Sequence, residues 1–95
     1  MKLKDLCCDE QPREKMLDKG ASALTNAELL AILLRTGDGK LNAVEICRDL
    51  LKQADESLCQ LSDWSVERMQ EINGIGPAKA LTVAATFEIA RRWFT

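Results

Sequence analysis

The stretch Ile72-Asn73-Gly74-Ile75-Gly76-Pro77-Ala78-Lys79-Ala80 constrains this chain more than any other. Two glycines one residue apart, followed by a proline, interrupt an apolar pattern of helical period and restart it at once. Gly74 has the conformational freedom to end a helix in the left-handed region. Gly76 lets the backbone come close to another group, because no side chain shields its N–H. Pro77 presets the first turn of the next helix, a position whose N–H has no intrahelical partner in any case. Ile75 is apolar and is expected to turn inward, pinning the turn to a core, while Ala80 permits close approach of the two helices. The local chemistry therefore specifies helix, tight turn, helix.

The rest of the chain repeats that plan. Pro12 opens a first helix with Met16 and Leu17 on its apolar face and Gly20 as its stop. Thr25-Asn26-Ala27-Glu28 reads as a capping box ahead of Leu29, Leu30, Ile32, Leu33 and Leu34. Ala43, Ile46, Cys47, Leu50, Leu51 and Ala54 mark a third amphipathic helix. Ser57 caps a single turn through Leu61, and Ser65 caps a fourth helix facing inward through Val66, Met69 and Ile72. A fifth runs from Pro77 to about Trp93, and its uncharged stretch from Ala80 to Phe87 is expected to lie centrally in the core. No segment shows sustained β alternation. The fold class is all-α, about five helices, with residues 1–11 a leader and 12–95 one domain. A shift of 37 residues superposes Gly37-x-Gly39-x-x-x-Ala43 on Gly74-x-Gly76-x-x-x-Ala80. Leu29 then meets Val66, Ile32 meets Met69, Val44 meets Leu81, Ile46 meets Val83, Cys47 meets Ala84 and Leu50 meets Phe87. The expected architecture is two helix–turn–helix units packed together, their turns near 36–41 and 73–77.

Composition narrows the function. At 95 residues the chain supports one modest core, and 46% apolar with 29% charged residues suits a soluble globular domain. The longest nearly uncharged run, residues 78–87, is broken by Lys79 and is too short to span a bilayer. The N-terminus has no apolar signal-peptide core, so a cytoplasmic setting is expected. Cys7, Cys8, Cys47 and Cys59 form no C-x-x-C pair and the chain has no histidine, so no metal or other cofactor is expected. Cys47 reads as a small core residue. The lack of histidine also removes the commonest general base. The fifteen carboxylates are scattered along polar faces, and a non-catalytic role is expected.

What the turns offer instead is an anion site. Free backbone N–H groups beside a helix N-terminus favour a bound negative charge, and Lys79 can reach the same place. The pattern hydrophobic-Gly-hydrophobic-Gly followed, after three intervening residues, by a small apolar residue is that of helix-hairpin-helix proteins, which typically grip DNA phosphates without reading bases. The combination "PREKMLDKGASALTNAELLAILLRTG" with "INGIGPAKALTVAATFEIARR" resembles the N-terminal domain of the RadC family, over residues 12–92. That resemblance implies a tandem helix-hairpin-helix fold like the second domain of RuvA, a link to DNA repair, and a following metal-dependent JAB/MPN-like domain. The ligands of such a domain include histidine, so its catalytic half is absent from these residues. The expected phosphate-binding residues are Gly74, Ile75, Gly76 and Lys79 in the second hairpin and Arg35, Gly37, Gly39 and Lys40 in the first. Asp38 stands where the second hairpin has Ile75, and a carboxylate there repels phosphate, so the second hairpin is expected to dominate.

Charge sets the expected strength. The net charge is −2, yet residues 72–95 carry Lys79, Arg91 and Arg92 against Glu88 alone, a local +2. Arg91 and Arg92 lie ~18 Å along the helix from Lys79 and are expected to complement the helix C-terminus. Binding to DNA should be weak, sequence-independent and salt-sensitive, with no aromatic placed to stack on bases. Trp64 is expected to cover the core. The apolar ending Trp93-Phe94 raises the alternative of a docking module for a partner protein or for the C-terminal domain.

Overall fold

The computed structural model describes residues 11–34 and 42–94. Every regular element among them is helical: α1 (Gln11–Lys19), a single 3-10 turn (Ala21–Ala23), α2 (Asn26–Leu34), α3 (Ala43–Gln53), α4 (Leu58–Ser62), α5 (Val66–Met69) and α6 (Pro77–Phe94). The all-α class expected from the sequence is the class observed. The single turn expected from Ser57 through Leu61 is α4, five residues long. None of these helices is long and apolar enough to cross a membrane.

Helix starts follow from local side-chain chemistry. The capping box is formed in both directions: the Thr25 N–H donates to Glu28 Oε1 at 2.9 Å, and the Glu28 N–H donates to Thr25 Oγ1 at 3.1 Å. Lys15 Nζ donates to the same Glu28 oxygen at 3.1 Å, which ties α1 to α2. These bonds hold the Glu28 carboxyl below its ordinary pKa, the Thr25 backbone N–H first among the causes. Ser57 Oγ accepts from the Gln60 N–H and Ser65 Oγ from the Arg68 N–H, as their positions predict. Asn42 caps α3 by accepting from the Val44 N–H at 2.8 Å, a cap that the sequence reading missed. At the far end of α3, Asp55 and Glu56 both take positive φ, 58° and 57°. Left-handed backbone costs a non-glycine residue about 1–2 kcal/mol. The Glu56 N–H to Leu51 O bond at 2.7 Å offsets part of that cost by satisfying the helix end.

The core is one cluster to which α2, α3, α4, α5 and α6 all contribute. Ala31, Cys47, Leu50, Leu61, Ala80 and Val83 have no exposed surface at all. Burial pushes the Cys47 thiol up to about 12, so it stays protonated and behaves as the core residue its spacing predicts. Trp64 packs half-buried against this core with the Arg68 guanidinium 4.2 Å above its ring.

The repeat is visible in burial where the helices must touch. Ala43 and Ala80 are 1% and 0% exposed, and Ile46 and Val83 are 5% and 0% exposed. It fails one step outward, because Val44 is buried whereas Leu81, its counterpart, is 58% exposed. Two expectations are corrected here. The uncharged stretch of α6 is not central, since Ala80 and Val83 alone in that helix are buried. Neighbours flank α6 on one side, α2 and α5, so an uncharged composition does not enclose its other side. In α1 the buried residue is Pro12, and Leu17 is 83% exposed. Leu17 lies about 140° round the helix from Pro12, whereas Met16 lies on the Pro12 side and is half-buried.

Candidate functional site

The second turn is built as its residues dictate. Gly74 has φ 97°, the positive region for which glycine is suited. The Ile75 N–H donates to Ile72 O at 3.0 Å, which folds the chain back on itself. Ile72 and Ile75 are 3% and 4% exposed and join Met69 and Ala80 in the core, so the turn is anchored at two points. Ile75 thus holds the turn in place, and its own N–H is occupied within it.

Gly76 differs. Its carbonyl accepts from the Ala80 N–H at 3.0 Å and starts α6. It is exposed, its φ lies outside the positive region, and a Cβ built on it would meet nothing within 4 Å. Neither space nor backbone angle requires glycine there, although as the N-cap of α6 it is a better residue than alanine. Its N–H meets no acceptor among the described residues, and the N–H groups of Ala78 and Lys79 lie ahead of the intrahelical ladder. These donors stand at the positive end of the 18-residue helix α6.

Lys79 is the third residue of α6, half-buried, and takes part in none of the ion pairs of the described residues. Gly74, Ile75 and Gly76 form the turn, and Lys79 lies in the first turn of the helix that follows it. Arg35, Gly37, Gly39 and Lys40, together with Asp38, lie outside the described residues. Arg91 and Arg92 are engaged elsewhere. Both pair with Glu88 at 3.1 Å, and Arg91 Nη2 also donates to Ser62 O at 2.8 Å, tying α6 to the end of α4. The two guanidinium groups, Arg92 first, hold the Glu88 carboxyl below its ordinary pKa.

A feature that sequence reasoning missed lies on the flank of the turn. Glu45, Ile46 and Asp49 of α3 line a shallow depression together with Asn73. The signal was present, since Glu45 and Asp49 are four apart and share one helix face, but only packing sets that face beside Asn73. Two carboxylates there make the side of the turn at Asn73 electronegative. Among the described residues no group of acidic and cysteine side chains is placed to hold a metal ion.

Comparison with known proteins adds a family. Residues 3–81 match the family model described as UPF0758 N-terminal. A UPF0758 protein of Chlorobaculum parvum is 46% identical over 92 residues, covering 97% of this chain and 40% of its own length. Relatives bearing the same family name are 41% identical in Clostridioides difficile and 42% identical in Methanosarcina mazei, each over 92 residues, 97% of this chain and 39% of the relative. The chain thus spans about 40% of the length of the curated relatives it matches. No solved structure matches it.

Proposed function

The chain belongs to the UPF0758 family, as its N-terminal domain, and we propose that this domain binds the phosphate backbone of DNA without reading sequence. The observation that carries the reading is Gly76, an exposed glycine with open space where a side chain would stand and a free N–H at the start of a long helix. A phosphate oxygen can approach there closely enough to accept from the N–H groups of Gly76 and Ala78, with the Lys79 ammonium beside it. The resemblance to the RadC family and to tandem helix-hairpin-helix domains supports the same ligand. In this reading α2 and α3 form the first unit and α5 and α6 the second. The role is binding in the cytoplasm in association with DNA repair, and no catalytic residue is assigned.

With the carboxylates of Glu45 and Asp49 close by, affinity is modest and strongly salt-dependent. Two to four engaged phosphates correspond to a slope of log K against log salt of roughly −2 to −4. The test is NMR titration of labelled protein with a short duplex of arbitrary sequence at low and then moderate salt. Amide shifts concentrated at residues 74–79 and reversed by salt are expected, and Lys79→Gln should make the slope shallower by about one. Unmoved amides throughout this turn at low salt would overturn the reading.

A further inference from the structure

The other end of α6 carries a second surface. Between α2, α4 and the latter half of α6 runs an open groove of about 230 Å³, lined by Leu29, Leu33, Leu58, Val83, Phe87 and Ala90 among others. On α6 these residues are spaced by four and three, and one further step of four reaches Phe94, so a single stripe continues from the groove to the helix end. Along it, burial falls away. Val83 is fully buried, Phe87 is half-buried, and Phe94 is 88% exposed with Trp93 beside it at 84%. Adjacent exposed aromatics continuous with an apolar groove mark an interaction surface rather than ordinary scattered surface apolarity.

The family comparison supplies the occupant. This domain is the N-terminal one in proteins of which it makes up about 40%, so in those relatives most of the chain remains to follow it. A segment tethered at the end of α6 meets the stripe at a high effective concentration, an advantage that a free partner or a second copy lacks. We propose that the groove seats the part of the longer family proteins that follows this domain, through an uncharged face of aliphatic side chains. The groove begins at Val83, ~9 Å along α6 from Pro77, and the stripe runs on to Phe94, ~26 Å from it; it shares no residue with the phosphate-binding turn and does not depend on the DNA reading.

The test is amide hydrogen exchange on the full-length Chlorobaculum parvum relative, with this 95-residue chain as the undocked reference. Docking should slow exchange about tenfold at positions aligned with residues 83–90. Aspartate at the position aligned with Ala90, which is exposed on the groove wall, should abolish that protection. Aspartate at the position aligned with Leu81, round the helix from the stripe, should leave it intact. The melting temperature of this chain carrying Ala90→Asp reports whether the variant still folds, and Leu33→Asp takes its place if it does not. Equal exchange in the two proteins would overturn the proposal, as would protection that survives the groove aspartate. So would sedimentation showing this chain to be a dimer protected on the same stripe, since the occupant would then be a second copy.

Discussion

Gly74 and Gly76 are chemically identical, yet the fold uses them differently. Gly74 holds a positive φ of 97°, so Gly74→Ala should destabilise the domain by about 1–2 kcal/mol. Gly76 has open space around it and no positive φ, so Gly76→Ala should cost no more than the alanine penalty at a helix N-cap, about 0.5–1 kcal/mol, while weakening DNA binding by crowding the free N–H. Urea titrations of the two variants beside duplex binding assays check both halves. Equal stability losses would contradict this division of roles, and undiminished binding by Gly76→Ala would count against the phosphate site. The sequence already distinguished the two positions, because a helix stop and a helix start are decisions made within one turn of backbone. It did not show that Glu45 and Asp49 flank the turn, since that proximity is created by α3 packing far along the chain.

At the level of elements, the junction of α1 and α2 rests on one carboxylate. Glu28 accepts from the Thr25 N–H and from Lys15, and its folded-state pKa is lowered by those bonds. A lowered carboxylate pKa contributes stability that is present above the unfolded value, about 4.3, and lost as pH falls through the folded value. Glu28→Ala should therefore cost about 1 kcal/mol near neutral pH, and the penalty should shrink as the solution is acidified below about pH 4. Thermal melts of both proteins across that range would detect it, and a penalty of the same size at pH 3 would show that the carboxylate charge plays no part. The capping box was legible because both of its partners lie within four residues. The Lys15 bond was not, since it spans 13 residues and needs α1 already placed on α2.

Across the whole molecule, the core is one-sided for α6, and that decides which apolar residues contribute to stability. Leu50 has no exposed surface and Leu81 is 58% exposed, although both belong to helices with the same apolar spacing. Leu50→Ala should cost about 3–5 kcal/mol, and Leu81→Ala much less than 1 kcal/mol. Comparable losses in denaturant melts would mean that α6 is enclosed on both sides. The sequence by itself determined the helices, the caps at Thr25, Ser57 and Ser65, the Gly-x-Gly turn and the buried alanine that follows it, because each depends on interactions within a few residues. Only the tertiary structure decided that the uncharged run of α6 lies half in water and that Leu17 faces solvent. It also decided that Arg91 and Arg92 bind Glu88 and, in the case of Arg91, α4. Burial and ion pairing belong to neighbours brought from elsewhere in the chain, and no local pattern specifies on which side of a helix those neighbours come to rest.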